Sequence, residues 1–174
     1  MAARLITQKV AGTEERPLYV WNRSKAKCTA FKEAFPDSNV IISESAKEVV
    51  EACSITYSML STPEASAAVF EGDAGVLSGV SEGKGIVDCA TLAEKDHQNM
   101  SSKVSAAGGL YLEAPVSGSK GPAETGALVF LCGGSADLFH MVEDGLAAMG
   151  KAQHFLGEEV GVGTRAKLVR VFLF

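Results

Sequence analysis

Residues 111–126 read Tyr-Leu-Glu-Ala-Pro-Val-Ser-Gly-Ser-Lys-Gly-Pro-Ala-Glu-Thr-Gly, and they lie between two apolar runs at 110–112 and 127–131. Because glycine and proline interrupt regular structure, the pattern predicts a strand, an irregular loop and a second strand. Glycine lets the main chain come close to a ligand, and the hydroxyls of Ser117 and Ser119 can bond to it. A plain surface turn has the same composition, so the pattern alone leaves both interpretations open.

The composition bounds the class of protein. A chain of 174 residues suits one domain with a sizeable core. The net charge of −5 argues against binding to a nucleic-acid backbone, which needs a basic face. No apolar run approaches the length of a membrane helix, and the first residues lack the layout of a signal peptide. We therefore expect a soluble cytoplasmic protein without nucleic-acid or membrane partners, and an organellar location stays open if a targeting peptide precedes these residues.

The cysteines argue against a metal site and against a disulfide framework. None of the four is part of a Cys-x-x-Cys pair, so no metal ligand is predicted. We expect reduced and mostly buried thiols of an intracellular protein at Cys28, Cys53, Cys89 and Cys132.

Apolar runs alternate with segments of helical periodicity along most of the chain. The runs at 18–21, 40–42, 54–60 and 85–88 are typical of buried strands. Strands separated by helices indicate βαβ crossovers, which predicts an α/β fold with a doubly wound, mostly parallel sheet. Such a sheet binds ligands at the carboxyl ends of its strands, so the residues that follow the strands are the candidates for a site.

The run Pro-Val-Ser-Gly-Ser-Lys-x-Pro-Ala-Glu-x-Gly at 115–126 is long and unusual. It resembles the substrate-binding loop of the β-hydroxyacid dehydrogenase family (3-hydroxyisobutyrate dehydrogenase-like), in particular its glyoxylate and succinic semialdehyde reductase branch. The resemblance implies an NADP(H)-dependent oxidoreductase that reduces a small aldehyde acid to the hydroxy acid. It also implies that Ser117 and Gly118 bind the carboxylate of that substrate.

A lysine near the end of the chain is the candidate catalytic residue. Residues 161–167, Gly-Val-Gly-Thr-Arg-Ala-Lys, resemble the family pattern Gly-x-Gly-x-x-x-Lys, whose lysine is the acid–base. Reduction of an aldehyde needs a proton donor beside the carbonyl oxygen, and a lysine can serve if its pKa is lowered by burial. Without the resemblance, Lys167 would be interpreted as a solvated surface residue. The family pattern continues to an Asn where this chain has Val171.

Two further strand ends resemble parts of the family's site. Asp88-Cys-Ala-Thr91 is similar to the family pattern Asp-x-Ser-Thr, with Ala90 in place of the serine. The resemblance implies that Thr91 contacts the nicotinamide or the substrate; a cap on the following helix is an alternative role that is compatible with the first. Met59 and Leu60 are similar to the family's turn along the adenosine and nicotinamide ribose.

The residues that follow the 18–21 run are expected to determine whether NAD or NADP binds. An acid at this position bonds the ribose 2′-hydroxyl of NAD, whereas an arginine accommodates the 2′-phosphate of NADP. Asn22 stands in place of the acid, while Arg23, Ser24 and Lys27 provide two cations and a hydroxyl that suit a phosphate. The resemblance thus implies NADP(H). The alternative is that these side chains only solvate the surface of a helix.

The two ends of the sequence depart from the family pattern. No Gly-x-Gly-x-x-Gly occurs, and residues 1–5 align with the family helix that follows this phosphate-binding turn. We expect residues 1–159 to form a Rossmann-like NADP-binding domain without its first strand. Residues 160–174 are expected to begin an interdomain helix that in the family leads to an all-helical second domain. The full-length family forms homo-oligomers, which are not expected of this chain.

Two other functions remain open. One is a noncatalytic NADP-binding or interaction module, because a chromatin-associated branch of the same fold lacks the catalytic lysine. The presence of Lys167 and the acidic charge argue against that branch. The other is an inactive fragment of a longer dehydrogenase.

Overall fold

The computed structural model describes the backbone of residues 1–172 and the side chains of residues 1–169. The departure at Val171 and the apolar end of the chain therefore lie outside the described side chains. The helices are α1 (Ala2–Thr7), α2 (Lys25–Glu33), α3 (Ala46–Ala52), α4 (Pro63–Glu71), α5 (Val76–Gly79), α6 (Glu94–Ala106), α7 (Lys120–Thr125), α8 (Ala136–Met149) and α9 (Val162–Phe172). The strands are β1 (Leu18–Val20), β2 (Val40–Ile42), β3 (Ile55–Ser58), β4 (Gly85–Asp88), β5 (Leu110–Glu113), β6 (Val116–Ser117), β7 (Leu128–Gly134) and β8 (Gly150–Phe155).

The described strands form two sheets. β1 and β2 pair in parallel, and the second sheet has the order β3-β4-β5-β7-β6 with β8 paired to β7. The pairs β3–β4, β4–β5 and β7–β8 are parallel, which confirms the expected α/β fold with a mostly parallel sheet. In the doubly wound order 3-2-1-4-5-6 the first strand lies between the second and the fourth. The two sheets of this chain are separate at that position, between β1 and β3.

β7 runs antiparallel to β5 and β6, a reversal that the sequence pattern did not predict. The segment between β5 and β7 contains only the two-residue β6 and the short helix α7. The chain therefore re-enters the sheet at the end where it left, which makes the next strand antiparallel. The expectation of an irregular loop was wrong in this respect, because the loop folds into a strand and a helix that ends at Gly126 with a positive φ of 74°.

Two apolar cores cover the opposite faces of the larger sheet. Neighbouring residues in a strand point to opposite faces. Accordingly Ile86 belongs to one core and Val87 to the other. The first core packs α8 against β7, which is buried along its whole length. The second packs α3, α4 and α6 against the other face, through Val50, Phe70 and Met100.

Side-chain caps begin several helices at the places that the sequence indicates. The Thr62 side chain accepts a hydrogen bond from the Ala65 backbone N–H at 3.1 Å, and Pro63 occupies the first turn of α4. Ser45 and Ser135 cap α3 and α8 in the same way. The four cysteines are free thiols, as expected, and three of them are buried. Within the described residues, no helix is both long and apolar enough to cross a bilayer.

Candidate active site

Lys167 projects from α9 toward the carboxyl ends of the parallel strands. Its Nζ donates to Thr91 Oγ1 at 2.6 Å and to the Val116 carbonyl oxygen at 2.7 Å. The side chain is half-buried, and this burial lowers the pKa of Lys167 from its ordinary value of 10.5. Three motifs that lie far apart in the sequence therefore meet at one ammonium group.

The candidate substrate loop begins at this contact. Ser117, half-buried, follows Val116 directly, and the exposed Gly118 comes next with a φ of 135°. This positive φ favours glycine, and a Cβ at Gly118 would lie 2.8 Å from Leu128 Cδ2. The structure thus brings the residues proposed for substrate binding next to the lysine, on an exposed part of the surface.

Asp88 anchors the turn that presents Thr91, a role that the sequence motif alone did not indicate. Its Oδ1 accepts hydrogen bonds from Ser58 Oγ at 2.6 Å and from the Ala90 backbone N–H at 3.2 Å. The Tyr111 hydroxyl donates to Oδ2 at 3.1 Å. Asp88 has no solvent-exposed surface, so these three bonds compensate for burial of the carboxylate. The sequence signal for this role was the position of Asp88, an acidic residue at the end of an apolar strand.

The Asp88 network continues to a buried histidine. His97 Nδ1 lies 2.8 Å from the Tyr111 hydroxyl oxygen, and both rings are almost completely buried. Burial, together with the nearby Asp88, raises the pKa of Tyr111 well above its ordinary value. The phenol therefore stays neutral and serves as a hydrogen-bond donor to Asp88.

Glu113, at the end of the neighbouring strand β5, is the second buried carboxylate. Its Oε1 accepts from the backbone N–H groups of Gly161 at 2.6 Å and Gly163 at 2.7 Å. Its Oε2 accepts from Thr164 Oγ1 at 3.1 Å. Glu113 thus holds the turn that begins the lysine-bearing helix α9. Sequence analysis missed this residue, although an acid just before Ala-Pro in an apolar segment was a visible signal.

The thiols near the site are not suited to nucleophilic catalysis. Burial is the main cause that raises the pKa of Cys89, and it raises the pKa of Cys132 to about 12. Both side chains are completely buried. Lys167 is partly accessible, and burial lowers its pKa from the ordinary value of a lysine.

The residues expected to select the cofactor lie just beyond β1. Asn22 Oδ1 accepts a hydrogen bond from the Ser24 backbone N–H at 2.9 Å, which shapes the turn before α2. Arg23, Ser24 and Lys27 are exposed. In the described part of the chain no carboxylate forms an ion pair with Arg23 or Lys27, whereas Lys25 pairs with Glu44 at 2.6 Å. The two cations are thus available to an anion.

Met59 and Leu60 directly follow strand β3. Asn22 and Thr91 likewise come shortly after the ends of β1 and β4. Met59 is 53% exposed, so its side chain is accessible at the surface. Lys167 forms hydrogen bonds with Thr91 and Val116. Among the described residues, no hydrogen bond connects these three residues to the 22–27 turn. The two groups lie at the ends of strands in separate sheets.

Comparisons with known proteins agree with the architecture. The chain is 41% identical over 150 residues to glyoxylate/succinic semialdehyde reductase 2, chloroplastic, of Arabidopsis thaliana, an alignment that covers 86% of this chain and 40% of the relative. It is 35% identical over 152 residues to the cytokine-like nuclear factor N-PAC of Homo sapiens, covering 87% of this chain and 26% of that protein. This chain therefore spans less than half the length of either relative.

The fold is shared with a solved dehydrogenase. The structure of 3-hydroxyisobutyrate dehydrogenase from Mycobacterium tuberculosis with L-serine superposes with a TM-score of 0.85 at 21% identity, over 99% of this chain and 54% of that one. The family model described as the NAD binding domain of 6-phosphogluconate dehydrogenase matches residues 4–160. The match covers most of the chain, and it spans the strands, the β4 turn and the substrate loop described above. The chain therefore belongs to the family of NAD-binding domains represented by that of 6-phosphogluconate dehydrogenase.

Proposed function

We propose that this chain is the cofactor-binding and lysine-bearing part of an NADP(H)-dependent reductase that converts a small aldehyde acid, such as glyoxylate or succinic semialdehyde, into the hydroxy acid. The observation that carries the proposal is the position of Lys167, whose ammonium is hydrogen-bonded to Thr91 and to the main chain just before Ser117. The 41% identity to a reductase named for these two substrates supports the choice of substrate class.

The contacts of Lys167 suit a proton donor to a carbonyl oxygen. An ammonium has three N–H donors, and two of them bond to Thr91 and to the Val116 carbonyl. The third remains for a substrate oxygen. Because burial lowers its pKa, Lys167 loses and regains a proton more easily than an exposed lysine does. The nicotinamide cofactor, when bound, would supply the hydride to the carbonyl carbon.

Thr91, Ser117 and Gly118 complete the site in this proposal. The Thr91 hydroxyl accepts from Lys167, and its own hydrogen is then free to bond to the reacting end of the substrate. The Ser117 hydroxyl and the main chain at Gly118 would bind the substrate carboxylate, since a position without a side chain allows close approach. The partner of this chain is thus a small carboxylate with an aldehyde group.

The turn after β1 fits the 2′-phosphate of NADP. Arg23 and Lys27 are exposed cations without carboxylate partners among the described residues, and the side chain of Ser24 makes no cap bond to α2. Asn22 shapes the turn, while Met59 and Leu60 would lie along the ribose. The glycine-rich turn that normally binds the pyrophosphate is not in this sequence.

Residues 1–159 act as the cofactor-binding domain in this proposal, and residues 160–174 are the segment whose described helix α9 carries the proton donor. The alternative is a noncatalytic NADP-binding or interaction module. The 35% identity to N-PAC favours that alternative, whereas the contacts of Lys167 favour the enzyme.

The proposal is tested by the rate at which NADPH is consumed with glyoxylate or succinic semialdehyde. We expect Lys167→Met to lower kcat by about 10²-fold to 10⁴-fold while NADPH still binds. Lys95→Met, which removes an exposed lysine on α6, serves as the matched control. Equal rates in the wild type and Lys167→Met would reject the proposed role of the lysine.

A further inference from the structure

Glu113 is a buried carboxylate that faces the beginning of α9 rather than the surface. It has no exposed surface, and its two oxygens together accept three hydrogen bonds from residues 161–164. Two of the donors are backbone N–H groups at a helix N-terminus, where the helix dipole favours a negative charge. The carboxylate thus stabilises a turn that would otherwise bury unsatisfied N–H groups.

The turn is packed closely against the sheet, with no room for side chains at two of its glycine contacts. A Cβ at Gly163 would collide with the Leu131 carbonyl oxygen of β7, and it would also lie 3.3 Å from Glu113 Cδ. A Cβ at Gly133, the register partner of Glu113, would lie 2.8 Å from Glu113 Oε1. The main chain of α9 therefore begins directly against the sheet, and Glu113 fills the space between them.

The position of this turn determines where Lys167 lies. Lys167 is in the second turn of α9, and its ammonium reaches Thr91 at the end of β4 and Val116 beyond β5. A long, flexible side chain adopts one geometry only if its backbone is fixed. The hydrogen bonds of Glu113 fix that backbone to β5, the strand that leads into Val116.

We propose that Glu113 is the positioning residue for Lys167, because its three hydrogen bonds set the depth and direction at which the ammonium enters the site. The inference deepens the proposed function and rests on it for its effect on catalysis. Its effect on the position of Lys167 is independent of catalysis. Glu113 touches neither substrate nor cofactor in this account and acts only through α9.

The pKa of Lys167 is the readout that distinguishes positioning from a simple charge effect. Loss of a nearby negative charge alone would lower the pKa of a lysine. If the ammonium instead leaves its half-buried position, the pKa rises toward the ordinary 10.5. The two explanations thus predict opposite signs. Competitive acetylation of the folded chain over a pH series, with mass spectrometry and the exposed Lys95 as internal reference, measures this pKa.

The variants are Glu113→Met, which keeps the length of the side chain but removes all three hydrogen bonds, and Thr164→Val, which removes one hydrogen bond without changing the charge. We expect both to raise the pKa of Lys167, with the smaller effect in Thr164→Val. Thr164→Val retains both backbone hydrogen bonds, and it gives the same readout if Glu113→Met does not fold. A pKa that is unchanged or lowered in the folded variants would overturn the proposal.

Measuring kcat together with the pKa of Lys167 distinguishes failure of the positioning role from failure of the proposed function. If the wild type reduces the aldehyde, Glu113→Met should lower kcat by up to about 10²-fold with little change in the KM for NADPH. If the wild type shows no turnover but the pKa of Lys167 rises in both variants, the proposed function fails and the positioning role stands. A normal kcat together with an unchanged pKa would reject the positioning role alone.

Discussion

Asp88 and Glu113 are register partners in the parallel pair β4–β5, and each of these buried carboxylates fixes the start of a segment that carries a side chain of the site. Asp88 bonds to the turn that presents Thr91, and Glu113 bonds to the turn that begins the helix of Lys167. A hydrogen bond of 2.6 Å from Lys167 Nζ to Thr91 Oγ1 connects the two segments. Two adjacent positions in the sheet thus anchor the two segments that bring Thr91 and Lys167 together.

Replacement of Asp88 by asparagine should destabilise the protein. The amide has only one acceptor oxygen, so it cannot accept all the bonds that Ser58, Ala90 and Tyr111 donate to the carboxylate. We expect a loss of about 2 kcal/mol in the free energy of unfolding, measured by denaturant titration. Asp73→Asn, at an exposed position, is the control and should have almost no effect. Equal stability of Asp88→Asn and the wild type would show that the network contributes little.

Thr91→Val should lower the pKa of Lys167 and reduce turnover without unfolding the chain. The valine has nearly the same shape but cannot accept the hydrogen bond from Lys167. Loss of this acceptor disfavours the ammonium, so the pKa of Lys167 should fall further below its ordinary value. We expect kcat to fall about tenfold, whereas Thr91→Ser should retain most of the wild-type rate. A full rate in Thr91→Val would exclude a role for the hydroxyl.

The stability contributed by Lys167 should depend on pH in a direction that its lowered pKa fixes. In the folded chain burial lowers this pKa below 10.5, whereas in the unfolded chain it has its ordinary value. Between the two values the unfolded chain binds more protons, so stability rises with pH across this window. The unfolding free energy of the wild type minus that of Lys167→Met should therefore increase as the pH rises toward 10.5. A difference that stays constant or falls would contradict the burial of the ammonium.

Arg23→Ala should weaken the binding of NADPH without affecting the binding of NADH. Only NADPH carries the 2′-phosphate that the guanidinium would contact. We expect about tenfold weaker binding of NADPH by fluorescence titration, and a similar loss for Lys27→Ala. Lys25→Ala is the matched control, because this lysine lies next to the turn but is paired with Glu44. A similar loss for all three variants would indicate nonspecific attraction by positive charge.

The sequence was sufficient to predict the α/β fold. The roles of Lys167, Thr91 and Ser117 were implied only by the resemblance, and the interactions that position these residues were not predicted. The apolar run at 85–88 located β4 correctly, because the residues of this strand are buried on both faces of the sheet. The reversal of β7 depends on how the segment 114–127 folds, which composition does not determine. Asp88 was noted only as part of a motif, and Glu113 was missed. Their roles depend on partners such as Tyr111 and Gly161 that become neighbours only in the folded chain.

The most direct test of the account is the thermal midpoint of this chain with and without millimolar NADPH or NADH. A ligand that binds only the folded state raises the midpoint by mass action, and a concentration of 100 times Kd adds about 2.7 kcal/mol of stability. We predict a cooperative transition whose midpoint rises with NADPH and rises less with NADH, because of Arg23 and Lys27. A clear transition without any shift by NADPH would contradict the proposal that this chain binds the cofactor.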